Sequence, residues 1–157
     1  MAGPNIALYD STHTNLVSTW AIGTVKAQVP SEALTVNIWN NKAGTEDVSD
    51  LKDCSIGVYD ASGSTANDDV AKDKWVEINV PSVDGTSTTW TAIGGTTTKS
   101  IRANLNVTDF SIKGTKNDGT AANAGSNFST VNLRVNAPIN SVPGNKSFKV
   151  RLTGYYT

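Results

Sequence analysis

The sequence predicts an all-β protein: an antiparallel sandwich forming a single domain over 1–157. Composition is the first ground. Of 157 residues, Ser (15), Thr (20), Asn (16) and Gly (13) supply about two in five, while hydrophobic residues make up 38% and charged residues 17%. Leu and Met are few and Thr, Val, Asn and Gly are common, which suits strands and turns better than helices. The second ground is apolar–polar alternation, which recurs along most of the chain. The third is that no stretch of ten or more residues carries a 3.6-residue apolar period. A chain of this length is one ordinary domain, able to bury roughly two-thirds of its unfolded surface without disulfides.

Two short apolar pieces come first, Ile6-Ala7-Leu8-Tyr9 and Ile22-Gly23-Thr24-Val25. Residues 1–20 can pair within the sandwich or reach out as an N-terminal arm, with Trp20 as an anchor for either. Leu34-Thr35-Val36-Asn37-Ile38 then alternates cleanly, as does Cys54-Ser55-Ile56-Gly57-Val58. Val76-Glu77-Ile78-Asn79-Val80 follows and is closed by Pro81, which cannot donate to a ladder. Ile101-Arg102-Ala103-Asn104-Leu105-Asn106-Val107 is the most regular segment, Val131 to Ala137 stops at Pro138, and Phe148 to Thr153 is the last. Successive strand side chains face opposite ways, so each segment has one apolar and one wet face, as in antiparallel sheets with one face on a core. Turn clusters such as Asn40-Asn41-Lys42-Ala43-Gly44 and Lys116-Asn117-Asp118-Gly119 separate them, and long polar connections are expected over 60–74, 81–99 and 113–127. About seven to eight strands at this spacing predict an Ig-like sandwich with Greek-key connections.

Composition also narrows function. With 13 basic and 14 acidic residues the net charge is −1, which does not suit a polyanion binder. No nucleic-acid partner is expected. No apolar run approaches the roughly 18 residues of a membrane span, so no membrane partner is expected either. The opening Met1-Ala2-Gly3-Pro4 has the features of no signal peptide. Cys54 and His13 are each alone, which excludes a Cys/His zinc site and an intrachain disulfide. Cys54 lies in an alternating segment, where a small buried thiol is the simplest reading. Asp60, Asp68, Asp69 and Asp73 are close in sequence, but their spacing departs from an EF-hand. No phosphate loop or nucleophile elbow occurs, so no catalytic residue, cofactor or metal is expected and the chain reads as non-enzymatic.

Two features point to contacts. Residues 1–84 carry 5 Lys and no Arg against 12 acidic residues, a net of −7; residues 85–157 carry 8 basic and 2 acidic, a net of +6. If 131–137 and 148–153 form a final hairpin, Arg134, Lys149 and Arg151 share one wet face, with Arg102 in the same phase. That face can meet an acidic partner, or the sandwich can satisfy its own charges, in which case surface pairs matter little. The second feature is aromatic phase. Trp39, Tyr59 and Trp75 are out of step with the apolar sets of their segments, so they form a sugar-stacking or oligomer surface, or are covered by loops or returned to the core by bulges.

Trp20-Ala21-Ile22-Gly23-Thr24-Val25 followed by Glu32 to Asn41 resembles the opening of bacterial ASH-type Ig-like domains. Val131 to Pro138, with Pro143-Gly144-Asn145-Lys146-Ser147-Phe148-Lys149-Val150, is similar to the closing strands of bacterial Ig-like modules. Taken whole, the chain resembles small Ig-like structural proteins of phages and prophages of Gram-positive bacteria. That resemblance implies a virion protein made in the bacterial host cytoplasm. Its expected role is capsid decoration, with the major capsid protein or another virion protein as partner, and with a homo-oligomer or lattice arrangement. A tail or baseplate accessory that binds a host surface is the second expectation. A carbohydrate-binding module using Trp39, Tyr59 or Trp75 is the third.

Overall fold

A computed structural model describes residues 1–86 and 88–157; Ser87, inside the expected 81–99 connection, lies outside the described residues. The elements in chain order are β1 (Ile6–Tyr9), β2 (Leu34–Asn40), β3 (Lys52–Asp60), α1 (Asp69–Lys72), β4 (Val76–Asn79), α2 (Pro81–Asp84), β5 (Thr91–Ile93), β6 (Lys99–Ser100), β7 (Phe128–Val135) and β8 (Phe148–Tyr155). They form two antiparallel sheets, one of five strands in the order β1-β2-β7-β4-β5 and one of three in the order β6-β3-β8. The protein is thus an all-β antiparallel sandwich of eight strands.

Its topology is interlocked. The consecutive strands β2 and β3 lie in opposite sheets, as do β7 and β8, yet β2 pairs with β7 and β3 with β8. The run β1-β2-β7-β4 follows the order of the first sheet of an immunoglobulin-like Greek key, and β3 and β8 take the central places of the second. One place is open. An immunoglobulin-like sandwich carries a last strand outside this position, and among the described residues β8 pairs with β3 alone.

Alternation explains the core. Val36 and Ile38 of β2, Val131, Leu133 and Val135 of β7, Val76 and Ile78 of β4, and Cys54, Ile56 and Val58 of β3 are all buried in one cluster. Burying each large aliphatic side chain contributes about 1.5–3 kcal/mol, which offsets the ordering of strands of weak intrinsic preference. Polar side chains at strand ends close the loops. Asn40 Nδ2 donates to the Ser49 carbonyl at 3.0 Å, and Asn41 Nδ2 donates to the carbonyls of Glu46 and Gly114 at 2.8 Å each. Asn41 sits at φ 62°, a left-handed conformation that Asn tolerates better than most residues.

Several expectations are corrected. The segment 101–107 does bury Ile101 and Ala103, but it forms no ladder. Its amides go elsewhere: Ala103 donates to Ser111, Asn104 to Phe128 and Leu105 to Gly125, and Asn106 turns at φ 59°. Residues 22–25 are not a strand either; Trp20, Ile22 and Val25 pack against the core from a strap without ladder bonds. The expected hairpin of 131–137 with 148–153 does not form, because β7 and β8 lie in different sheets. Past β7, the carbonyls of Val135 and Ala137 accept from Ser31 and Gln28, and Pro138 and Pro143 punctuate the crossing to the second sheet. The polar 60–74 connection contains α1, where Asp68 caps Val70 and Val70 and Ala71 are buried.

Candidate interaction surface

Trp39 lies on the face of β2 opposite Val36 and Ile38, as its phase requires, yet it is 0% exposed. A second apolar cluster encloses it with Phe128, Ala124, Tyr9 and Ala121. Trp39 stacks on Phe128 at 4.6 Å between centroids, and its Nε1 donates to His13 Nδ1 at 3.0 Å. His13 meets both rings edge-on, and Lys42 lies 4.0 Å above the Tyr9 ring while donating to the His13 carbonyl. Burial, and then the Lys42 charge, hold His13 below its ordinary pKa.

Trp75 is also buried, at 6% exposure in the main core, with Lys146 5.6 Å above its ring. Tyr59 stands on the outer face of β3 under the Arg151 guanidinium at 4.3 Å. The three aromatics therefore do not form an exposed sugar platform. Their phase was legible, but the loops that cover Trp39 and the helix turn beside Trp75 leave no mark in a strand's own alternation.

The basic residues are likewise divided. Arg134 projects from the outer face of the five-stranded sheet, where its Nε donates to Glu77 at 2.6 Å and its guanidinium lies 4.3 Å from the Trp90 ring. Arg102 donates to the carbonyls of Ser82 at 2.9 Å and Thr108 at 3.2 Å and so ties α2 to the chain after it. Only Lys149 and Arg151 stay together, exposed on the outer face of β8. The single shared face is corrected to three separate places, because the expected hairpin is absent.

The charge split has a structural origin in part. All four ion pairs among the described residues, Asp84–Lys99, Asp50–Lys113, Glu77–Arg134 and Asp69–Lys146, join an acid from 1–84 to a base from 85–157. Other acids close turns. Asp60 accepts from the Ser62 amide and hydroxyl and the Ser64 amide, and the Ser62 hydroxyl leads in holding its carboxyl below the usual range. Asp10 does the same for Thr12, Thr14 and Asn15. Cys54 is buried, donates to the Leu51 carbonyl, and burial pushes its thiol up to about 12. It belongs to the main core and His13 contacts the second cluster, so the two do not form a nucleophile pair.

The side of β8 away from β3 is bordered by apolar side chains. Phe148, Val150 and Leu152 are half-buried at a cleft of about 1090 Å³ between the sheets. The strap packs there too, with Trp20 edge-on to Phe148 at 5.8 Å. Ile139, Val142, Tyr155 and Tyr156 are exposed nearby in sequence. The sequence pattern marked β8 as a strand but not as an edge, and it left Trp20 as an anchor without saying against what; pairing partners lie outside a segment's own periodicity. Comparison of the chain with protein-family models, with curated proteins and with solved structures found no match.

Proposed function

We propose that this chain is a non-enzymatic structural protein of a bacteriophage virion, a capsid decoration protein that binds the assembled head through the major capsid protein. The observation that carries the reading is the open β8 edge, which joins a long unpaired strand side, unpaired cations and a half-covered apolar cleft. Of the carboxylates considered above, Asp60 closes a turn, Asp68 caps α1 and Asp69 pairs with Lys146. The resemblance to small Ig-like phage proteins supports the same reading. A protein that binds only the assembled shell adds its binding free energy to the shell's stability. The test is to mix the purified protein with expanded heads, free capsid subunits and tails of the phage whose genome encodes it. Saturation of heads at a fixed ratio per capsomer, without binding to free subunits, is expected. Binding to tails alone would move the role to the tail, and binding to none of them would refute the proposal.

A further inference from the structure

We propose that the outer edge of β8 is a strand-addition site for an extended partner segment that alternates apolar and acidic residues. The inference goes beyond the virion reading and does not depend on it. It starts from length. The other sheet edges are short, four residues in β1, three in β5 and two in β6, whereas β8 runs for eight residues, Phe148–Tyr155. Short edges are one way sheets avoid unwanted pairing, so a long open one stands out. Apart from its ladder with β3, no hydrogen bond reaches 148–155 among the described residues. Alternate amides and carbonyls of β8 are therefore available to an incoming strand.

The two sides of the edge define what that strand carries. Facing inward, Phe148, Val150 and Leu152 are half-buried and border the cleft with Val36, Ile38 and Trp20. An added strand would place every second side chain over this apolar ledge. The strap is no obstacle of the ladder kind, since residues 18–25 make no hydrogen bond among the described residues. Facing outward, Lys149 and Arg151 are exposed and belong to none of the four ion pairs. Arg151 lies 4.3 Å over the Tyr59 ring and is still exposed. Acidic residues at the other alternate positions of the added strand would meet these two cations across the ladder.

The same charges disfavour a second copy of β8 as occupant. Antiparallel pairing about Val150 sets Lys149 against the other copy's Arg151, and pairing about Arg151 sets the two arginines opposite each other; like charges directly opposite are destabilising.

The experiment uses the whole protein and a capped peptide of alternating Val and Glu, long enough to span 148–155. A second peptide carries Lys in place of every Glu. Backbone amide exchange and titration by NMR read the outcome. The glutamate peptide is expected to slow exchange within 148–155 and to bind roughly tenfold more tightly than the lysine peptide. In the Lys149→Glu, Arg151→Glu double variant the preference is expected to invert, with the fold monitored by near-ultraviolet circular dichroism. High salt applied to the unaltered protein gives a control that needs no variant, and it is expected to erase the difference between the peptides. Equal binding of both peptides, protection confined to other strands, no binding at millimolar peptide, or dimerisation through β8 without peptide would each overturn the proposal.

Discussion

Single residues set the pH response of this fold. His13 accepts a hydrogen bond from Trp39 through Nδ1, and burial, with the Lys42 charge beside it, disfavours its charged form. Its native pKa lies below the unfolded value near 6.5. The unfolded chain therefore binds more protons below that pH. The contribution is complete above about pH 6.5 and is lost as the pH falls through the native pKa. An NMR titration of the His13 ring is expected to give a midpoint below 6.5, and His13→Asn is expected to flatten the stability profile just below about pH 6.5. Further acidification should add a second loss as Asp10, Asp60 and Asp118, all held below the usual carboxylate range by their hydrogen bonds, become protonated. Asn40 gives a second residue-level prediction. Its side chain receives the Asn5 amide and donates to Ser49 and Ile112, so Asn40→Leu leaves these groups without partners. Denaturant unfolding is expected to show a loss of about 3 kcal/mol. Cys54, pushed up to about 12, is expected to resist thiol reagents until the chain unfolds.

At the scale of elements, alternation was a reliable guide wherever one face of a segment met the core along its whole length. β2, β3, β4, β7 and β8 were all legible for that reason. The regular pattern of 101–107 misled because alternation reports which way side chains face and says nothing of pairing. Ile101 and Ala103 do face inward, while the backbone crosses between loops. β5 and β6 were invisible because strands of three and two residues among threonines have no period to detect. The strap at 17–25 is the element whose behaviour follows most directly from its bonding. Its apolar side chains are half-buried, but its backbone from 18 to 25 has no hydrogen-bond partner among the described residues. Local opening exposes such segments first. Hydrogen exchange is expected to be fast across 18–25 and slow across β2 and β7. Trp20→Ala is expected to lower stability by about 1–3 kcal/mol while leaving the β2–β7 ladder protected.

Across the whole molecule, the opposed charge of the two parts of the chain is a consequence of the interlocked topology as well as a candidate contact feature. Each of the four ion pairs crosses from the acidic part to the basic part, which accounts for four of the eight bases in 85–157. Arg134 was legible as a cation on a wet face, but its partner Glu77 lies on a neighbouring strand that only the folded sheet supplies. The division predicts two different results for charge reversal. Arg134→Glu sets like charges together beside Trp90 and is expected to cost about 1 kcal/mol of stability. Lys149→Glu with Arg151→Glu is expected to leave the melting temperature nearly unchanged and to weaken particle binding. The most direct test of the virion role is calorimetry of expanded heads stripped of accessory protein, with and without this chain added back. The account predicts that saturating protein raises the melting temperature of the shell and that the double variant raises it less. An unchanged shell melting temperature at saturating protein would contradict it.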